Sequence, residues 1–252
     1  VFQQDGAIRI MIGATGLDAV KGVAATSMSS PTAAEETRFG TLIAPNLVAP
    51  NHDHFFNFRL DFDIDGQANS FMKTELVPAP VEPSAKRRSL WMTRHSMPMT
   101  EDQATFRINY ETPAMYHVVN HHQRIGVGHE PGYMLMPMGS VAYSPLDVAN
   151  DPPARRNAYI DRTFWVTPFD PAQRYAGGEY AMQSDGSDTL AQWIKAARPI
   201  HDTDIVVWAS LGFHHVPHME DWPVMSTMWR GLTLMPFNFF DRNPAMTIRP
   251  VE

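Results

Sequence analysis

The sequence predicts a mostly-β fold, a large antiparallel β-sandwich, on three observations. Residues 52–65 alternate apolar and polar side chains almost without fault, which is the period of a strand with one buried face. Short apolar runs broken by Pro, Gly, Asn and Asp recur along the rest of the chain. Helical periodicity is scarce. With 252 residues, 44% of them hydrophobic, the chain can bury a sizeable core. No linker divides it, so residues 1–252 are read as one domain.

The first strand is expected over residues 7–12. The long strand follows at 52–64. His52, His54, Phe56, Phe58, Leu60, Phe62 and Ile64 lie on one face, and Asp53, Phe55, Asn57, Arg59, Asp61 and Asp63 on the other. Asp65-Gly66 closes it with a turn. Residues 78–84 are proline-rich and precede the basic cluster Lys86-Arg87-Arg88; they predict an extended loop or arm. Further strands are expected at 115–119, 133–137 and 163–167, with a loop at Asn150-Asp151-Pro152-Pro153. The best helix candidate is 188–197, capped by Ser187 or Asp188. The last expected strand is 204–214.

Bulk composition narrows the function. A net charge of −7 argues against a nucleic-acid footprint. No apolar run reaches membrane-spanning length. The absence of cysteine excludes disulfides and thiolate metal sites, so any metal must sit on imidazole, carboxylate or carbonyl groups. The chain opens in mid-pattern at Val1-Phe2-Gln3 without an initiator methionine and is read as a piece of a longer polypeptide.

The two histidines of the long strand point the same way, as two ligands to one metal must. A histidine-only copper site needs a third imidazole and positions left open for water or oxygen. The strand at 204–214 runs into Phe213-His214-His215-Val216-Pro217-His218, where parity selects His215. It shares a phase with Ile205, Val207, Ala209, Leu211 and Phe213; His214 falls on the other phase unless a bulge intervenes. Hydrogen-bonded core histidines fit the same spacing. On the opposite phases lie Asp61, Asp63 and Asp204, which suit either a hard cation such as calcium or a solvated acidic face. His117, His121, His122 and His129 read as surface or turn residues.

Together these residues resemble the carboxy-terminal catalytic domain of the copper amine oxidases, of the enterobacterial type. The matching motifs include Lys21-Gly22-Val23, Arg38-Phe39-Gly40-Thr41-Leu42-Ile43, His52-Asp53-His54 running to Asp65-Gly66, Trp165-Val166-Thr167, His215-Val216-Pro217 and Glu220-Asp221-Trp222-Pro223-Val224-Met225. The resemblance implies oxidation of primary amines, aromatic monoamines first, to aldehydes by O2, with release of ammonia and hydrogen peroxide. It implies copper on His52, His54 and His215, and topaquinone formed from a tyrosine of the same polypeptide. It implies a calcium-type ion on Asp61, Asp63, Asp204 and the carbonyls of Phe62 and Ile205, a homodimer embraced by hairpin arms, and a periplasmic location. Met225 is expected close to the copper. A second peripheral ion site would use Glu101, but its other positions hold Trp193, Ala196 and Arg198. His218 and Ser226 depart from the family pattern near the copper end.

The cofactor tyrosine of the family lies in an Asn-Tyr-Asp/Glu motif before the His-x-His pair. The tripeptide Asn109-Tyr110-Glu111 follows the pair instead, and Phe106 stands where a threonine is usual. The cofactor tyrosine and the catalytic base are therefore expected before Val1, and the chain alone is expected to be inactive. A non-catalytic copper-binding β-domain and a metal-free sandwich remain open as other readings.

Overall fold

The computed structural model describes residues 1–139, 144–180, 182 and 184–248. Its strands in chain order are β1 (Ile8–Gly16), β2 (Lys21–Gly22), β3 (Gly40–Ala44), β4 (Leu47–Pro50), β5 (His52–Phe62), β6 (Ser70–Pro78), β7 (Trp91–Ser96), β8 (Thr105–Phe106), β9 (Ala114–Val119), β10 (Gly132–Met138), β11 (Phe164–Pro168), β12 (Ile205–His215) and β13 (Met225–Phe237). One sheet has the order β1-β13-β10-β9-β6-β7, a second β5-β12-β11-β8, and a small third β2-β4-β3. The fold is mostly β and antiparallel, as the alternation predicts. No helix among the described residues is long and apolar enough to cross a membrane.

The main core joins the two larger sheets. Phe71, Val118 and Leu232 of the first meet Phe164, Val207 and Leu211 of the second. Strand β12 is buried on both faces. Ile205, Val207, Ala209 and Leu211 enter the main core, while Val206 and Trp208 pack with Trp165 and Leu190 in a second cluster. Two-sided burial explains why this stretch reads as an almost continuous apolar run.

Several boundaries differ from expectation. Strand β5 stops at Phe62 because a side chain takes over the next backbone groups: Asn69 Oδ1 accepts from the Ile64 amide at 2.9 Å, and Asn69 Nδ2 donates to the Gly66 carbonyl at 2.9 Å. The turn at Asp65-Gly66 is present, with both residues at positive φ. The helix contracts to Leu190–Trp193 plus a 3₁₀ turn at Ile194–Ala196. Its N-cap is Thr189, not Ser187 or Asp188; the Asp188 carboxylate instead accepts the Trp193 indole at 2.7 Å. The loop at 150–153 ends as the first turn of a short helix, Pro152–Arg156, since proline is well suited to a helix start. Residues 79–90 connect β6 to β7 as a hairpin whose outer strand is exposed throughout.

Candidate metal centre

Strands β5 and β12 pair without a break from Phe62–Ile205 to His52–His215. The start of one strand therefore lies beside the end of the other. His52 faces His215 directly, and His54 faces Phe213. His54 Nε2 lies 2.9 Å from His52 Nε2, and His215 Nδ1 lies 3.2 Å from the same atom. His214 points to the other side, where its Nδ1 meets Asp53 Oδ1 at 2.6 Å, so the parity choice matches the geometry.

The hydrogen bonds around the cluster fix its tautomers. His52 Nδ1 donates to the Pro50 carbonyl at 2.9 Å, which leaves a lone pair on His52 Nε2. His215 Nε2 donates to Asp221 Oδ2 at 2.9 Å, which leaves a lone pair on His215 Nδ1. Two lone pairs thus face each other across 3.2 Å, with a third ring nitrogen beside them. Without a cation this is repulsive; with one it is a ligand set. Burial first, then the neighbouring His52 and His215, hold His54 below the usual histidine range, which favours the neutral form that coordinates metals.

Asp221 is buried at 2% exposure. Burial opposes its ionisation, but hydrogen bonds from His215 and the His218 amide and the nearby imidazoles outweigh it and hold the carboxyl below its ordinary value. A carboxylate on the far nitrogen of a ligating histidine fixes ring orientation and raises ligand basicity. On the opposite side, His54 stacks on Phe213 at 4.8 Å, and Phe213 packs with buried Ala14 and Met225. Met225 therefore lies one ring beyond a candidate ligand. An open cavity of about 640 Å³ lies on the other face of the sheet, lined by Asp53, Phe55, Tyr159 and His214 where the ends of β5 and β12 meet.

The other sequence-derived sites fare differently. Asp204 Oδ1 is buried without a hydrogen-bond partner. Burial first, then the charges of Asp61 and Asp63, raise the Asp204 carboxyl above its usual value. Among the described residues the three carboxylates do not come within 4.8 Å of one another as the histidines do. Asp61 contacts Arg59 at 3.4 Å, and Phe62 and Ile205 are cross-strand partners beside it. Glu101 is fully buried, and Arg198 binds both its oxygens at 2.9 Å, so a cationic side chain already occupies that carboxylate. Tyr110 is 71% exposed in a turn just after β8, the edge strand farthest from β5 in its sheet.

Comparison with known proteins completes this picture. The whole chain, residues 1–252, matches the family model described as copper amine oxidase, enzyme domain. The chain belongs to the copper amine oxidase family. It is 41% identical over 251 residues to a peroxisomal copper-containing amine oxidase, alpha 2, of Arabidopsis thaliana, covering 99% of this chain and 36% of that protein. It is 39% identical to a primary amine oxidase of Pisum sativum, covering 99% of this chain and 36% of that protein. Among solved structures it resembles a copper-containing benzylamine oxidase from Hansenula polymorpha, with TM-score 0.86, 25% identity, and coverage of 98% of this chain and 38% of that one. The chain thus spans little more than a third of the length of these copper amine oxidases. Sequence reasoning missed the roles of Asp221 and the Pro50 carbonyl. The motif Glu220-Asp221-Trp222-Pro223 was visible, but nothing in a linear sequence says that its aspartate folds back onto His215.

Proposed function

We propose that this chain is the copper-holding part of a primary-amine oxidase, with His52, His54 and His215 as the ligands. One observation carries the reading: in a chain of this family, tautomers fixed by Pro50 and Asp221 aim lone pairs of His52 and His215 at one point beside His54. Imidazole nitrogen is a good donor to Cu(II). Copper bound there supplies the redox chemistry that converts a tyrosine of the polypeptide to topaquinone and that supports O2 reduction. The residues of this chain set the stage. Asp221 holds His215 in orientation, and Phe213 and Met225 keep one side of the cluster apolar. Aromatic monoamines are the proposed substrates and O2 the oxidant, with the cofactor tyrosine and the base in sequence outside residues 1–252. The orphaned Asp204 oxygen, near Asp61 and Asp63, supports a calcium-type ion that draws these groups together with the carbonyls of Phe62 and Ile205. The exposed β7, with Trp91 and Met92 in water, supports a hairpin arm that packs on a second subunit.

Cu(II) titration followed by electron paramagnetic resonance and metal analysis tests the centre. One copper per chain with nitrogen hyperfine structure is expected, and His215→Ala is expected to abolish it. A folded chain that takes up no copper would refute the assignment. Oxidase function is tested on a longer polypeptide that adds the cofactor motif. Quinone absorbance and tyramine-dependent peroxide are expected there. Copper uptake with neither would leave a non-catalytic copper domain.

A further inference from the structure

A second group of metal-binding side chains meets where β6 and β12 begin and β9 ends. His121 follows β9, and His201 and Asp202 precede β12; one ligand atom from each lies within 4.8 Å of the others. The His121 and His201 rings are 5.5 Å apart. His121 Nδ1 donates to Glu130 Oε2 at 2.7 Å, and Arg124 holds the other Glu130 oxygen at 3.0 Å. In the neutral ring the proton therefore sits on His121 Nδ1 and the lone pair on Nε2. That Nε2 is buried and has no hydrogen-bond partner, which is costly for a polar atom unless something fills the place. His201 is held in a similar way: its Nδ1 lies 3.1 Å from Ser70 Oγ, leaving Nε2 to face Asp202 Oδ2 at 3.7 Å. Asp202 is pinned by its amide, which donates to Ser70 Oγ at 2.8 Å, and it stands in the left-handed backbone region.

We propose that His121, His201 and Asp202 form a separate site for a divalent transition-metal ion of the zinc class. Two imidazoles and a carboxylate, without sulfur and with one position left to water, make a suitable set for such an ion. The His121–Glu130 bond is the outer carboxylate contact that ligating histidines commonly have. The site is remote from the three-histidine centre. Strand β12 separates His201 from His215, and its 11 residues span roughly 33 Å at the usual strand rise. It is also distinct from the group around Asp204, whose carboxylate interacts with Asp61 and Asp63. Nothing in this assignment depends on copper or on amine oxidation.

Zinc titration of the full 252-residue chain carrying His215→Ala, in which the first centre is broken, tests the proposal. One zinc per chain is expected by calorimetry and metal analysis. Adding His121→Ala and His201→Ala should remove it, while Glu130→Gln should weaken it about 10- to 100-fold. Should the folded His215→Ala chain bind no zinc, or bind it equally well after the two further substitutions, the site does not exist. A variant-free check uses histidine carbethoxylation of the natural chain, mapped by mass spectrometry. Zinc is expected to slow modification of His201, whose side chain is 30% exposed, but not of exposed His129. Equal rates for His201 with and without zinc would overturn the proposal.

Discussion

Asp221 shows how a single side chain can set the properties of two others. Its carboxylate orients His215, which in turn aims a lone pair at His52. Asp221→Asn keeps the shape but removes the charge, and copper affinity is expected to fall about 10- to 100-fold in a competitive chelator titration. His117 is a different case. It is fully buried on β9, both ring nitrogens lack partners, and burial pushes its pKa down to about 4. The folded state therefore binds the proton less readily than the unfolded chain. The stability that comes from keeping His117 neutral is complete above about pH 6.5 and is lost as pH falls toward 4. His117→Leu should reduce the loss of stability between pH 7 and pH 4.5 by about 2–3 kcal/mol in urea melts. The expectation that His117 is a surface or turn residue was wrong. A lone histidine among Met115, Tyr116 and Val118 gives no sign of which face it takes.

At the scale of elements, the paired β5 and β12 were legible because each carries its own signal. One alternates strictly, the other is apolar throughout, and parity alone picked His215. Strands β9, β10 and β11 were also legible to within one residue at each end, but β13 was not. Strand β13, 13 residues long, contains Gly231 and Pro236, which read as strand breakers. Pro236 is tolerated because β13 pairs there only with β10, β1 having ended its pairing at Leu234. The glycine of β12 has a positive role. A Cβ on Gly212 would lie 2.3 Å from the His54 carbonyl and 2.5 Å from the Phe55 ring. Gly212→Ala should therefore push β5 away from β12, costing about 1–3 kcal/mol in denaturant melts and weakening copper binding in the same protein. Unchanged stability with full copper affinity would show that the two strands yield without disturbing the histidines.

For the molecule as a whole, the sandwich turns distant stretches of sequence into shared sites. His52 and His215 are 163 positions apart, and Ser70 and His201 are 131. Local patterns report faces, not meetings, so the three-histidine centre was readable only because both of its strands had clear phases. The group at His121 and His201 lies in turns with no phase to read. Metal binding should be felt throughout the cooperative unit. Copper at 100 times its dissociation constant is expected to add about 2.7 kcal/mol of stability. That corresponds to a rise of about 5–10 °C in Tm for a chain of this size, reversed by a chelator in a calorimetric scan. The eleven-rung pairing of β5 with β12 also governs how the gene can change length. Losing or gaining one codon inside either strand would exchange inner side chains for outer ones, presenting Asp53 and His214 where His52 and His215 now stand. Deletions and insertions are thus confined to the connecting segments, and a library of single-codon deletions should lose copper binding across both strands while sparing it between residues 79 and 90.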